Sequence, residues 1–339
     1  MRASDFDFDL PPDRIAHAPA RPREAARLLH VASGLADLHI SDLPDLLRPG
    51  DVLVSNDTRV IPAQLTARRG DARIGITLDR PTSDGGWHAL VRNARRMRVG
   101  DILHIDDDFS ATVRVRGDDG SAVLDFSLAG AAFDAALRRV GALALPPYID
   151  RPNGPTAQDQ TDYQTMFAAQ NGAVAAPTAA LHFTPALLAA LSARGVGHVT
   201  VTLHVGAGTF LPMRTDEVSD HRMHPERGVI TQAAAKAINA ASGRVVAVGT
   251  TSLRLLESAV DPAGRIQPYD GETAIFITPG HKITSADLLL TNFHLPRSTL
   301  FMLVCAFAGQ DRMRAAYAHA IESGYRFYSY GDACLLERA

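Results

Sequence analysis

The sequence predicts an α/β fold: a layered mixed-sheet main domain carrying an inserted small antiparallel β-barrel domain. Three observations lead there. Six short alternating runs, AQLTA, ARIGITL, GWHALVR, DILHI, ATVRV and SAVLDF, lie between residues 63 and 126, separated by Gly and Asp clusters. Runs of that length and spacing form small barrels or sandwiches. After Gly141 strand-like and helix-like stretches alternate, which implies a mostly parallel or mixed sheet covered on both faces. DVLVS at 51–55 is a strand that stops just before the barrel-like region, so both ends of the chain build the larger domain. The expected division is 1–61 plus 138–339 for a catalytic α/β domain and 62–137 for the inserted barrel.

The elements follow in order. The Pro-rich stretch 145–155 is a stiff return connection. Thr184 is an N-cap with Pro185 at the first helical position, and that helix runs to Arg194 before Gly195 stops it. A strand over 198–205 comes next, then an Ala-rich helix over 232–242 closed by Gly243, an apolar strand over 244–248 and a helix over 252–260. Ser298 begins another helix after Pro296.

At 339 residues the chain exceeds one simple core, which fits two domains. Its 34 basic and 37 acidic residues leave a net charge of −3, so a polyanionic partner must meet a local patch. Only Cys305 and Cys334 are present, neither a disulfide framework nor a zinc site by spacing. Aspartates at 5, 7 and 9 stand where a signal peptide needs an apolar core, and the longest apolar run, 299–309, is too short to span a bilayer. A cytoplasmic protein that does not contact the membrane is expected.

Three stretches, AAPTAALHFT (175–184), TNFHLPRST (291–299) and YSYGDA (328–333), set His182, Asn292, His294, Ser298 and Asp332 into apolar surroundings. Burying such groups costs free energy unless each finds a partner, an expense usually met at a site. His294 reads equally as a satisfied structural histidine. RVVAVGTTSLRLLE at 244–257 reads strand, Gly-Thr-Thr turn, helix, where Thr250, Thr251 and Ser252 form either an anion seat or a plain helix cap. TLHVGAGTF at 202–210 lacks the third glycine of a dinucleotide fingerprint. HRMHPE at 221–226 offers His221, His224 and Glu226, but Pro225 breaks the helix that would align metal ligands. RNARRMR at 92–98 carries Arg92, Arg95, Arg96 and Arg98, with Arg68 and Arg69 nearby. That run is a solvated face or a phosphate-binding patch, extended by Arg21, Arg23 and Arg27.

These motifs, with DFDFDLPPDRIA (5–16), NDTRVIPA (56–63), LPPYI (145–149), YQT (163–165), GTTSLRLLE (249–257), FITPG (276–280) and YRFYSYGDA (325–333), resemble the S-adenosylmethionine:tRNA ribosyltransferase-isomerases of queuosine biosynthesis. The likeness runs from Asp5 to Leu335. It departs from the usual pattern at His17, Ala26, Gln64, Ala144, Ala180, Pro225 and Cys305 and in 72–75, which bears most on RNA contacts. The resemblance implies an α/β domain with an inserted barrel, S-adenosylmethionine as ribosyl donor, no metal, and a tRNA partner carrying 7-aminomethyl-7-deazaguanine in its anticodon; a monomer is expected.

The implied chemistry removes a proton beside the sulfonium, expels adenine, joins the ribosyl carbons to the aminomethyl group to give epoxyqueuosine, and releases methionine. Such a site needs a base, an acid and a water-poor pocket. His182, His224, Glu226, His294 and Asp332 are the catalytic candidates. For substrate binding the resemblance nominates Asn56, Asp57 and Thr58 for hydroxyls or base edges, and Arg59 and Arg254 for the methionine carboxylate or an RNA phosphate. It also nominates Phe183, Phe210, Phe293 and Tyr330 for stacking, together with Tyr163, Gln164, Thr165, Thr178, Gly206, Gly208, Thr209, Thr250, Thr251, Asn292 and Ser298. Arg68, Arg69, Arg92, Arg95, Arg96 and Arg98 are the RNA candidates. Two rival classes are a non-catalytic RNA-binding protein, and a metal hydrolase built on His221, His224 and Glu226.

Overall fold

The computed structural model describes residues 1–211, 213 and 215–339. The strands are β1 (Arg27–Val31), β2 (Leu35–His39), β3 (Val52–Asn56), β4 (Thr58–Val60), β5 (Gln64–Arg69), β6 (Ala72–Pro81), β7 (Trp87–Arg92), β8 (Ile102–Asp106), β9 (Phe109–Arg116), β10 (Ser121–Phe126), β11 (Gln170–Ala173), β12 (Gly197–Leu203), β13 (Glu226–Ile230), β14 (Val245–Val248), β15 (Tyr269–Thr273), β16 (Leu288–Asn292) and β17 (Ala333–Glu337). The helices are α1 (Leu43–Leu46), α2 (Gly130–Val140), α3 (Ala157–Asp162), α4 (Pro185–Ala193), α5 (Gln232–Asn239), α6 (Thr250–Ala259), α7 (Thr299–Ala308) and α8 (Gln310–Glu322).

Nine strands form a mixed sheet in the order β15-β13-β12-β3-β14-β16-β17-β1-β2. Its centre, β12, β3, β14 and β16, is parallel, and β17 runs against β16. Burial on both faces explains why these strands read as apolar runs. Leu53, Val246, Leu288, Leu290 and Leu335 pack on one face with Ala179, Phe183 and Leu187. Val54, Ala247, Leu289, Leu203 and Leu336 pack on the other with side chains of α5, α6, α7 and α8. Each fully buried Leu or Phe there contributes roughly 1.5–3 kcal/mol. Side-chain caps start the helices at Thr184 and Ser298 as the sequence suggests, Thr184 Oγ1 accepting from Leu187 N at 3.2 Å and Ser298 Oγ from Phe301 N at 3.1 Å, and Thr231 Oγ1 likewise accepts from Ala234 N at 3.1 Å.

The six alternating runs close into a barrel in the order β10-β7-β6-β5-β8-β9. Leu65, Ile74, Ile76, Leu78, Leu103, Val113 and Leu124 fill its interior, so it is a packed core rather than a pore. Phe133 of α2 packs with Trp87, Phe109 and Phe126. The chain enters and leaves side by side, Gln64 and Ala142 exchanging backbone hydrogen bonds of 2.9 and 2.8 Å.

Candidate active site

The carboxyl ends of β3, β12, β14 and β16 lie along one edge of the sheet, the position where open α/β sheets bind ligands. Four of the nominated motifs begin there. Asn56, fully buried at the end of β3, donates to Leu203 O at 2.8 Å and accepts from Leu203 N at 3.0 Å and Thr58 N at 3.1 Å. It therefore ties β3 to the end of β12 and leaves the glycine turn after β12 in a set position. Asp57 accepts from the Thr202 hydroxyl at 2.6 Å, and Thr58 Oγ1 lies 2.8 Å from His204 Nδ1. Arg59 is exposed and donates to Ala168 O, while the Gln164 amide brackets the Val60 backbone.

β16 ends in a second network. The Asn292 amide donates to His182 Nε2 at 3.2 Å and to Asp332 O at 3.3 Å, and its oxygen accepts from the Thr178 hydroxyl at 3.0 Å. With Nε2 accepting, the His182 proton sits on Nδ1. Burial lowers the His182 pKa to about 4, outweighing the opposing pull of Asp332. Asp332 is 2% exposed and its oxygens are occupied: Oδ1 accepts from Arg27 N and Arg326 Nη2, Oδ2 from Arg326 N. His294 Nε2 lies 3.0 Å from Thr291 Oγ1, and enclosure by the wall pushes its pKa to about 3.

The third cluster joins three separated segments. Arg254 of α6 and Glu226 at the start of β13, both buried, form an ion pair between Arg254 Nη1 and Glu226 Oε2. Glu226 Oε1 also accepts from Gly206 N at 3.3 Å. Asp79, reaching out of the barrel, accepts from Ala207 N at 2.7 Å and pairs with Arg80. A Cβ on Gly208 would fall 2.5 Å from the His224 ring, so only glycine lets that exposed imidazole lie over the turn. Gly249, at φ +88°, reverses the chain after β14 so that Thr250 and Thr251 open α6 at the same edge. Thr209 is exposed, Phe210 leans on the barrel core, and Ser298 is spent as the α7 cap.

One stacking candidate, Phe293, is corrected by its surroundings. Phe293 is enclosed by Tyr317, Tyr325 and Phe327 and offers no face to adenine, whereas Phe183 packs against Phe167 and lines a hollow, so its ring is committed largely to the core. Tyr163 and Tyr330 pack edge to face, 6.0 Å apart, with the Tyr330 hydroxyl buried and unpartnered among the described residues. A hollow of about 490 Å³ is lined by Arg21, Arg23, Gln164, Thr165, Leu181 and Phe183 among others; Thr165 Oγ1 is buried there without a hydrogen-bond partner among the described residues. Among the described residues no group of three His, Cys, Asp or Glu is placed to hold a metal ion, and the His221 ring packs against Phe276.

A family model described as queuosine biosynthesis protein matches residues 3–336. The chain belongs to the queuosine biosynthesis protein family. This family member is an enzyme of the transferase and isomerase class, acting in tRNA modification. It is similar to the curated S-adenosylmethionine:tRNA ribosyltransferase-isomerases of Gluconacetobacter diazotrophicus, at 68% identity over 99% of this chain and 97% of that one, and of Acidiphilium cryptum, at 64% over all of both. A crystal structure of S-adenosylmethionine tRNA ribosyltransferase from Thermotoga maritima matches 98% of this chain and 99% of its own, with TM-score 0.55 and 35% identity.

In this queuosine family member the arginine run lies on the barrel's outer surface. Arg68, Arg92, Arg95, Arg96 and Arg98 are exposed; Arg69 is tied to Asp101 at 2.5 Å. Sequence reasoning missed Arg73, which faces Arg68 across the β5–β6 pair, two residues along β6 from Gly75, the partner of Arg92. Only the strand register could have found it. It missed Asp79 for the same reason. Of the arginines near the N-terminus, Arg21 and Arg23 both pair with Asp162, and Arg27 pairs with Asp37. Among the described residues no helix is long and apolar enough to cross a membrane.

Proposed function

We propose that this chain transfers and isomerises the ribosyl part of S-adenosylmethionine onto 7-aminomethyl-7-deazaguanine at the wobble position of a tRNA anticodon, giving epoxyqueuosine with release of adenine and methionine. The observation that supports this reading most is the convergence of residues from four separate motifs, His182, Arg254, Asn292 and the Gly206–Gly208 turn, at one sheet edge. His224 takes the proton beside the sulfonium. It is the nominated histidine whose ring is exposed and has no hydrogen-bond partner among the described residues, whereas His182 and His294 are held neutral in the wall. His182 offers its Nδ1–H to a developing charge, and the hollow lined by Leu181 and Phe183 takes the modified base, with the Thr165 hydroxyl as a partner. The enzyme works as a cytoplasmic monomer without a metal.

Labelled co-substrate tests the reaction. Ribose label is expected in tRNA, methyl label in released methionine, and adenine in equal amount; methyl label in tRNA or S-adenosylhomocysteine as product overturns the assignment.

The same reading assigns residues 62–137 to RNA contact as an inserted module and 1–61 with 138–339 to catalysis. Replacing Arg92, Arg95 and Arg96 by Ala is expected to weaken tRNA binding and to flatten the slope of log K against log salt by about 2–3. S-adenosylmethionine affinity is expected to stay unchanged. An unaltered salt series would make the patch a solvated face.

A further inference from the structure

Arg254 is 5% exposed, yet among the described residues only one of its three guanidinium nitrogens is spent on a partner. Nη1 donates to Glu226, whose other oxygen is occupied by Gly206 N. Nε and Nη2 are both shut off from solvent and make no hydrogen bond among the described residues. Buried charged donors left unpaired are costly. A fold that surrounds this arginine with a buried carboxylate and a fixed glycine turn nevertheless leaves both donors of that edge without a partner among the described residues. The edge has a definite shape: the Nε–H and one Nη2–H point the same way, spaced to meet the two oxygens of one carboxylate. Glu226 meanwhile holds the opposite side, so the guanidinium cannot swing to a different pose.

We propose that the Nε/Nη2 edge of Arg254 is the seat of the co-substrate's methionyl carboxylate. This rests on the reading of the chain as an S-adenosylmethionine-dependent enzyme and assigns one end of that molecule within it. A dry interior edge suits the terminal carboxylate of a small molecule, whereas an RNA phosphate is held by a polymer backbone at the surface. The carboxylate is bound in a water-poor setting where both hydrogen bonds are strengthened. Glu226 acts as a positioning residue that fixes the arginine, and the Gly206 contact couples the seat to the turn on which His224 lies. Reaching the seat requires local opening, because neither nitrogen is accessible.

The test is calorimetry on the full chain without tRNA, using S-adenosylmethionine and its decarboxylated analogue, which keeps the adenosyl and sulfonium groups. The intact enzyme is expected to favour S-adenosylmethionine by about 10- to 100-fold. In Glu226→Gln/Arg254→Gln, which removes both buried charges together, that preference is expected to vanish while the thermal midpoint certifies folding. Should the double variant not fold, competition by methionine against methioninol on the intact enzyme carries the same comparison, with only methionine displacing S-adenosylmethionine. Equal affinity of the intact enzyme for the two sulfonium ligands overturns the seat and leaves ribosyl transfer standing. Equal affinity together with a reduced tRNA salt slope in the double variant would assign the edge to phosphate instead and also overturns the proposal. Failure to bind either sulfonium ligand, with tRNA added as well, overturns the underlying reading and the seat with it.

Discussion

Asp332→Asn is expected to lower the free energy of unfolding by about 2–3 kcal/mol, the cost of leaving hydrogen-bond donors to a buried carboxylate unmatched while the partly exposed Arg326 side chain stays solvated. The carboxylate is nearly inaccessible and accepts three hydrogen bonds, from Arg27 N at 3.1 Å, Arg326 N at 2.8 Å and Arg326 Nη2 at 2.9 Å. Asparagine keeps one acceptor and turns an NH₂ toward a donor, so at least one N–H loses its partner and the Arg326 charge loses its counterion. These contacts bind the start of β1 to the turn before β17, and that turn supplies the Asp332 carbonyl to Asn292. Loss of turnover should therefore follow loss of the folded population. Urea unfolding at neutral pH measures it. A variant with unchanged stability and abolished turnover would return Asp332 to the catalytic groups, where the sequence alone places it.

The barrel was legible because its strands largely alternate buried and exposed residues, and because Gly and Asp clusters mark the turns. Of the central parallel strands, β3, β12 and β14 were legible, whereas β16 was not assigned from the sequence. Edge strands were not: β13 (ERGVI) and β15 (YDGET) carry charges and glycines, and only pairing with each other and with β12 makes them strands. End points shifted for identifiable reasons. The Ala-rich helix stops at Asn239 rather than 242, because the Asn239 side chain turns away to bracket the Ile266 backbone at 2.7 and 2.9 Å. The strand expected over 198–205 ends at Leu203, whose backbone groups are claimed by Asn56. The helix expected at Ser252 starts two residues earlier, because Gly249 already supplies the reversal.

Within the site, residue types pointed to the motifs while partners stayed hidden. The distance in sequence between Arg254 and Glu226, or between Asp79 and Ala207, gives no hint that they meet; the sheet order and the barrel's placement decide it. An aromatic ring such as Phe293 has the chemistry to stack on a base, but whether a face is free depends on packing from α8 and residues 325–327. A histidine's role depends likewise on its neighbours' donors. That dependence makes His182 the most informative site for substitution.

His182→Ala is expected to reduce kcat by about 10²–10³-fold, the range for removing one preorganised donor, with S-adenosylmethionine affinity changed far less. The lone pair of His182 is occupied by the Asn292 amide, and its pKa of about 4 leaves it neutral at physiological pH, so it serves as a fixed Nδ1–H donor rather than as the base. Asn292→Ala should cost a similar factor, and the double variant little more, because the two act as one unit. No limb of the pH–rate profile between pH 6 and 8 should belong to His182. Folding stability carries its own signature. The neutral ring is favoured in the folded chain relative to its ordinary pKa of 6.5, so its contribution is complete above that pH. It is lost as the pH falls toward 4, by about 3 kcal/mol in all. Urea unfolding of the intact chain and of His182→Ala at pH 7.5 and 5 reads this as a shallower pH dependence in the variant. Normal turnover in the folded variant would leave His182 a structural residue only, whereas a lost limb near neutral pH would make it the proton acceptor in place of His224.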